Sequence, residues 1–327
     1  MALAGGEYRL GTANPVLMIE FSVTSWCNYT CAYCVTTVQR RRPESFHSFD
    51  RHDVSAWIRA FERVPFEFSM LCRGGEPFLD HENFSRFLAA VGALPKLHYA
   101  RVDTNGTWAP ERYDAVPLDV RRKVQLNISF HPTQIEFEPF VKRIERIAEA
   151  GWAIGMINYV LEAKQKFDYE RVRDYFDEHH GIYVNPAPDG FDQELVGPPQ
   201  IRRKAQNQLL PLLPEVDIAL KTGTPTTGRS CFYPTIAYYV APDGWAERSC
   251  AFKVADEPRK LDFIHCSDQL RPLPAAVKCP QMTCLCLDRY AFLEEIPTRG
   301  RSLDLLGEYV TDVRALQASA RAAKTPA

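Results

Sequence analysis

Residues 16–34 read VLMIEFSVTSWCNYTCAYC. Val16–Val23 is a mostly apolar run with β-branched and aromatic members, the pattern of a buried strand. Cys27, Cys31 and Cys34 then follow as C-x3-C-x2-C in the loop that leaves this strand. Three thiolates so closely spaced can wrap a soft metal centre, and thiolate ligation is what iron–sulfur clusters require. Three ligands are one short of a closed four-iron site and would leave one iron open to a small molecule, the logic that separates open catalytic metal sites from closed structural ones. The same cysteines also fit a zinc site completed by a distant histidine, or three unrelated buried thiols.

Outward from this stretch the chain alternates between strand and helix patterns. Ser48–Val64 places Val54, Trp57, Ile58, Phe61 and Val64 on one helical face. Phe66–Cys72 reads as strand, His81–Leu94 as helix, Leu97–Asp103 and Val124–Phe130 as strands, and Gln134–Ala150 as a helix stopped by Gly151. Ala153–Leu161 is a strand, Asp168–His179 a helix and Ile182–Asn185 a sixth strand. Repeated βα units predict an α/β fold with an all-parallel, curved sheet, a partial (β/α)6 barrel ending near Pro188. Ala187–Ala219 is rich in proline and polar residues around a short predicted helix, Pro199–Leu210. Cys231–Cys250 reads as a β-hairpin: Ile236, Tyr238 and Val240 alternate, and Pro242-Asp243-Gly244 supplies the turn. The expected organisation is a barrel over 1–190, a linker over 191–229, and a small hairpin-plus-helix domain over 230–327.

The chain of 327 residues is 46% hydrophobic and 24% charged, which excludes a disordered or collagen-like polymer. Its 39 basic and 41 acidic residues nearly cancel, so no electrostatic footprint for nucleic acid or an anionic membrane is present. Met1–Leu10 lacks the features of a secretory signal and no apolar run is long enough to span a bilayer, so a cytoplasmic location is expected. In a reducing compartment, ten cysteines point to metal or redox chemistry before disulfides.

Three motifs in order resemble the radical S-adenosylmethionine (SAM) superfamily. Cys27-Asn28-Tyr29-Thr30-Cys31-Ala32-Tyr33-Cys34 matches its C-x3-C-x-aromatic-C signature, and Arg73-Gly74-Gly75-Glu76-Pro77 contains its Gly-Gly-Glu-Pro motif. Asp103-Thr104-Asn105-Gly106-Thr107 is similar to its Thr-Asn-Gly segment. The resemblance covers roughly residues 16–190. It implies a partial barrel holding a 4Fe–4S cluster on Cys27, Cys31 and Cys34, with SAM at the C-terminal ends of the strands. It further implies cofactor contacts from Tyr33, Gly74, Gly75, Glu76 and Pro77, with Asn105 and Ser129 as candidates for ribose or carboxylate hydrogen bonds. Each has a plainer reading: Tyr33 as core, Asn105-Gly106 as a turn, Ser129 as a strand-end cap. SAM would be cleaved reductively to a 5′-deoxyadenosyl radical that takes a hydrogen atom from a substrate, chemistry that belongs to the cofactor.

Beyond residue 230, Cys231, Cys250, Cys279, Cys284 and Cys286 resemble the Twitch and SPASM extensions of that superfamily, which implies one auxiliary 4Fe–4S cluster. A zinc ribbon fits short spacings such as C-x-C nearly as well. Gly244 lies one residue further from Cys250 than the commonest SPASM spacing, and the later cysteines depart from the full SPASM pattern. Cys72 reads as a buried small hydrophobe. Cys266, and whichever of Cys279, Cys284 and Cys286 the cluster leaves unused, are spare thiols able to return a hydrogen atom to a substrate radical, and His131 is a strand-end acid/base candidate. Asp103, Asn158, Tyr159, Glu162 and Asn185 are further candidates for the cavity wall. Gln39-Arg40-Arg41-Arg42 is a basic run that suits a solvated loop or a docking surface for an electron donor such as flavodoxin or ferredoxin. Three reactions compete: oxidation of a small polar molecule such as a sugar or aminocyclitol, epimerisation through a cysteine donor, and maturation of a ribosomal peptide. A non-enzymatic iron–sulfur carrier or zinc scaffold is the remaining alternative.

Overall fold

The structure is a computed structural model, and it describes residues 17–31, 34, 47–161, 169–188, 228, 230–231, 237–248, 260–273 and 277–278. Six strands follow one another in parallel across the sheet: β1 (Leu17–Thr24), β2 (Phe68–Gly74), β3 (Leu97–Thr104), β4 (Val124–Phe130), β5 (Ala153–Leu161) and β6 (Val184–Pro188). Helices α1 (Ser48–Arg51), α2 (Val54–Arg63), α3 (His81–Gly92), α4 (Leu118–Lys123), α5 (Phe137–Glu149) and α6 (Tyr169–His180) fill the crossovers. Among the described residues the sheet stays open and does not close on itself.

Alternation along each strand sorts side chains between two faces. Phe21 turns toward the helices and meets Trp57, Phe61 and Phe87 with ring centroids 4.7, 5.7 and 5.4 Å away. Cys72, Val102, Ile128 and Tyr159 share that helix-facing core. Cys72 is fully buried and burial pushes its thiol far above the ordinary range, so it behaves there as a small apolar side chain.

The single helix expected over Ser48–Val64 is two. His52 is extended (φ −132°, ψ 128°), and the Asp53 side chain accepts a 2.7 Å hydrogen bond from the Ser55 amide, which starts a second helix. An N-cap outcompetes continuation here because the carboxylate satisfies an amide that would otherwise lack a partner. α5 ends as expected: Gly151 takes φ +83° and donates to the Ala148 carbonyl, while Trp152 donates to Ile147.

The expected hairpin forms from Ala237–Val240 (β8) and Trp245–Arg248 (β9), following a two-residue strand, Ser230–Cys231 (β7). It does not make a separate sheet. β8 pairs in parallel with β1, from Met18 opposite Ala237 to Phe21 opposite Val240, so the strand order runs from β10 (Leu261–Asp262) through β9 and β8 to β1 and on to β6. Gly244 (φ +89°) makes the turn, and the Phe263 amide donates to its carbonyl, seating α7 (Phe263–Cys266) against α2. β7 pairs separately with β11 (Val277–Lys278), Cys231 opposite Val277. The short helix expected over Pro199–Leu210, and Cys250, Cys279, Cys284, Cys286, Tyr33, Glu162 and residues 39–42, lie outside the described residues.

Candidate active site

The loops at the C-terminal ends of β1 to β4 converge on one cavity of about 500 Å³. This is the end at which ligands bind in parallel α/β sheets. Cys27, Cys31 and Cys34 line it, with Gly74, Gly75, Thr104, Asn105, Ser129 and His131 opposite and around them. The three sequence motifs, far apart in the chain, therefore meet at one place.

The cysteine loop is tied down by its neighbours. The Tyr29 amide donates to Cys27 Sγ at 3.4 Å, and Asn105 Nδ2 donates to the same sulfur at 3.5 Å and to Asn28 Oδ1 at 2.9 Å. Asn105 Oδ1 in turn accepts from the Thr107 amide and hydroxyl. Arg143 on α5 donates to the Tyr29 hydroxyl at 2.9 Å. N–H groups directed at a sulfur suit a thiolate carrying negative charge.

Gly74 and Gly75 allow the end of β2 to lie against this loop. The Gly75 amide donates to the Thr24 carbonyl and the Glu76 amide to the Trp26 carbonyl, both at 2.6 Å. A Cβ on Gly74 would overlap the Thr24 carbonyl oxygen, and one on Gly75 the Trp26 carbonyl. Gly74 also takes φ +139°, which side chains with a Cβ rarely adopt.

Glu76 and Pro77 stand behind the cavity wall and do not line it. The Glu76 carboxylate is fully buried and accepts from Thr104 Oγ1 (2.7 Å), the Asn105 amide (2.7 Å) and the Phe78 amide (3.2 Å). Burial pushes its carboxyl up to about 7, against the lowering effect of those donors and of Arg143. Its position in this structure is that of a clamp between the β2 and β3 loops, a role that no spacing in the sequence announces.

His131 lines the cavity with Nδ1 3.8 Å from Cys31 Sγ, and burial lowers its imidazole to about 4, so the ring is neutral near pH 7. Cys266 is not brought to the site, which corrects its expected role. It ends α7, whose Phe263 packs on Trp57 and Phe61 on the helix-bearing side of the sheet, while the cavity opens on the other side. Tyr159 likewise faces the helices, against Phe130 and Tyr169. Asp103 does line the cavity, and Asn158 shares the inner face by its register with Ser129; the Asn185 backbone pairs opposite Asn158. Arg73, Ser22 and Tyr239, not singled out from sequence, complete the wall. The signal for them was period-2 placement beside Glu20 and Asp103, legible only once strand register is known.

Among the described residues no three Cys, His, Asp or Glu side chains gather as for a single metal ion. A cluster differs in that its thiolates bind different irons. Three cavity-lining thiols and two N–H groups directed at Cys27 Sγ are together suited to such a group.

The architecture is thus an α/β fold with a parallel sheet that carries its candidate site at the strand C-termini. No family model matches the chain. It is similar to the structure of native anSMEcpe with bound AdoMet, at a TM-score of 0.54 and 18% identity, covering 77% of this chain and 79% of that one. A complex of BtrN with AdoMet and 2-DOIA aligns at a TM-score of 0.35 and 19% identity, over 71% and 72% of the two chains. GTP 3′,8-cyclase of Stenotrophomonas maltophilia (strain K279a) is 27% identical over 100 residues. That match spans 29% of this chain and 28% of the relative's length. The likeness to native anSMEcpe is one of fold. Among the described residues, no helix is long and apolar enough to cross a membrane.

Proposed function

We propose that the chain is a radical SAM enzyme that abstracts a hydrogen atom from a small polar substrate and oxidises it. The observation that carries this reading is the meeting of Cys27, Cys31, Cys34, the Gly74-Gly75 wall and the Thr104–Asn105 loop around one cavity. When bound, the cluster and SAM supply reductive cleavage of SAM to methionine and a 5′-deoxyadenosyl radical able to take a hydrogen atom from a C–H bond. Cys27, Cys31 and Cys34 would hold three irons. Asn105 and the Tyr29 amide stabilise the Cys27 thiolate by direct hydrogen bonds. Neutral His131 beside Cys31 adds no positive charge at neutral pH. The cavity wall combines polar side chains with the small glycines, which suits a compact, hydrated substrate more than an apolar one.

An auxiliary 4Fe–4S cluster in the C-terminal segment would accept the electron that oxidation releases. The antiparallel pairing of β7 with β11 supports it by bringing the Cys231 backbone opposite Val277, close in sequence to Cys279. A cytoplasmic reductant such as flavodoxin or ferredoxin would supply the cleavage electron. Epimerisation through Cys266 is less favoured because that residue lies across the sheet from the cavity.

The test is anaerobic reconstitution with iron and sulfide, reduction by dithionite, and detection of 5′-deoxyadenosine. Its formation is expected, and its absence from fully iron-loaded protein would overturn the reading. Deuterated water separates the reactions: an oxidation leaves no solvent deuterium at the reacting carbon, whereas thiol-assisted epimerisation places it there. Iron for one cluster only, with zinc in the C-terminal segment, would remove the auxiliary cluster.

A further inference from the structure

The inner face of the sheet carries ion pairs at a level where packed barrels carry branched aliphatic side chains. Register sets Ser22 opposite Arg73, and Cys72 opposite Val102, so Arg73 and Asp103 occupy neighbouring strands in one layer. One layer deeper, Glu20 on β1 and Arg101 on β3 both fall opposite Leu71. Charges therefore alternate around Leu71.

Arg73 and Asp103 are placed to neutralise each other, yet each is held by a deeper partner. Arg73 pairs with Glu20, and Asp103 takes two bonds from Arg101, at 2.7 and 3.1 Å. The deep members are buried, with side-chain exposures of 1% for Glu20 and 8% for Arg101. The outer members keep 31% and 28%, and both line the cavity. Buried ion pairs are seldom worth more to stability than well-packed apolar side chains, so two of them beneath one cavity call for another reason. Their effect is to present one fixed cation and one fixed anion side by side, on strands about 4.8 Å apart. The guanidinium has five N–H donors and Glu20 engages one nitrogen, which leaves a fork for an oxyanion. Ser22 beside Arg73, and Tyr239 with its ring 5.9 Å from the guanidinium carbon, add polar edges.

We propose that this floor recognises the substrate as a small zwitterion. A carboxylate or phosphate would sit on Arg73, with an ammonium group a few ångströms away on Asp103. The inference rests on the radical SAM reading only for the reaction that follows binding, and it narrows the substrate from polar molecules in general to amino acid-like or amino-phosphate compounds.

The reconstituted full-length protein, saturated with SAM, is titrated with glycine, O-phosphoethanolamine, acetate, methylammonium and myo-inositol, with binding read by saturation-transfer NMR. At least one zwitterion should bind about ten-fold more tightly than acetate, methylammonium or the neutral polyol. Preference between glycine and O-phosphoethanolamine tells carboxylate from phosphate. Arg73→Gln should weaken zwitterion binding about ten-fold or more, and Asp103→Asn should weaken it while sparing acetate. Because Arg73→Gln strands a buried carboxylate, the double variant Glu20→Gln/Arg73→Gln provides a neutral floor and should show the same loss. Arg73→Lys keeps the charge and should retain part of the affinity. SAM affinity should stay as in the wild type throughout. Equal or tighter binding of myo-inositol or methylammonium, no zwitterion binding, or a matching loss of SAM affinity in the Arg73 variants would each overturn the assignment. Failure of the wild type to cleave SAM would sink the radical reading instead, and leave a zwitterion site to stand on the NMR result.

Discussion

Glu76→Gln tests whether the second motif acts as a clamp. Glu76 Oε1 accepts from Thr104 and Phe78, and Oε2 accepts from the Asn105 amide. A carboxamide oxygen can keep only one of these edges. If it keeps Thr104 and Phe78, the new NH2 group faces the Asn105 N–H, and one buried donor loses its acceptor, at about 1–3 kcal/mol. The effect should vary with pH in a defined direction. Burial raises the carboxyl from its ordinary 4.5 to about 7, so between those values the folded chain holds a proton that the unfolded chain releases. Stability from the protonated form is present in full below about pH 4.5 and is lost as pH rises through about 7, roughly 3 kcal/mol in all. Glutamine does not titrate, so the wild type's advantage over the variant should shrink as pH rises. Urea unfolding of both metal-free full-length chains near pH 5, 6 and 7.5 measures the gap at each value. A gap that widens toward pH 7.5 would mean that the three donors, not burial, govern this carboxyl. No gap at any pH would refute the clamp altogether.

Gly75→Ala should separate the β2 loop from the cysteine loop, because its Cβ has no room beside the Trp26 carbonyl. The measurable result is a large loss of bound iron after reconstitution. Gly181→Ala is the control: φ is +59° but nothing lies within 4 Å of its Cβ, so only backbone strain of about 1 kcal/mol is expected, read as a small shift in urea midpoint with iron unchanged. Phe61→Ala removes a ring packed on Phe21, Phe68, Phe87 and Phe263 and should cost about 3–5 kcal/mol by denaturant titration. Cys31→Ser should abolish the change that SAM produces in the reduced protein's electron paramagnetic resonance signal, while leaving the far-ultraviolet circular dichroism spectrum unchanged.

The parallel sheet was legible because apolar runs such as Val124–Phe130 and helical faces such as Val54, Trp57 and Phe61 follow their periods without interruption. The three motif loops were legible for the same reason, since each lies where a strand pattern ends. Partners of short strands were not. Ala237–Val240 alternates like any hairpin strand, and nothing in four residues states that its free edge pairs in parallel with β1. The break at His52–Asp53 was hidden because the apolar face runs through it and only the Asp53 cap interrupts the backbone. Cys266 was misplaced because a cysteine's position along the chain does not say which face of a sheet its helix covers. Arg73 and Asp103 were quoted within motifs, but their separation by deeper partners emerges only from register.

The glycine pair shows how structural need and ligand chemistry constrain each other at one site. A sheet-end loop pressed against Thr24 and Trp26 needs glycine at both positions whether or not a cofactor binds. Glycine alone therefore does not argue for SAM. The hydrogen bonds say more. The Gly75 and Glu76 amides are committed to the Thr24 and Trp26 carbonyls, so neither remains available to receive an anion. A carboxylate in the cavity must therefore look elsewhere, toward side-chain donors such as Ser129 or Arg73. Because Arg73 is held by Glu20 on the floor, titrating SAM into the Arg73→Gln protein decides which of the two ligands it serves. Unchanged affinity leaves Arg73 to the substrate, and a loss matching that for the zwitterion would assign it to SAM.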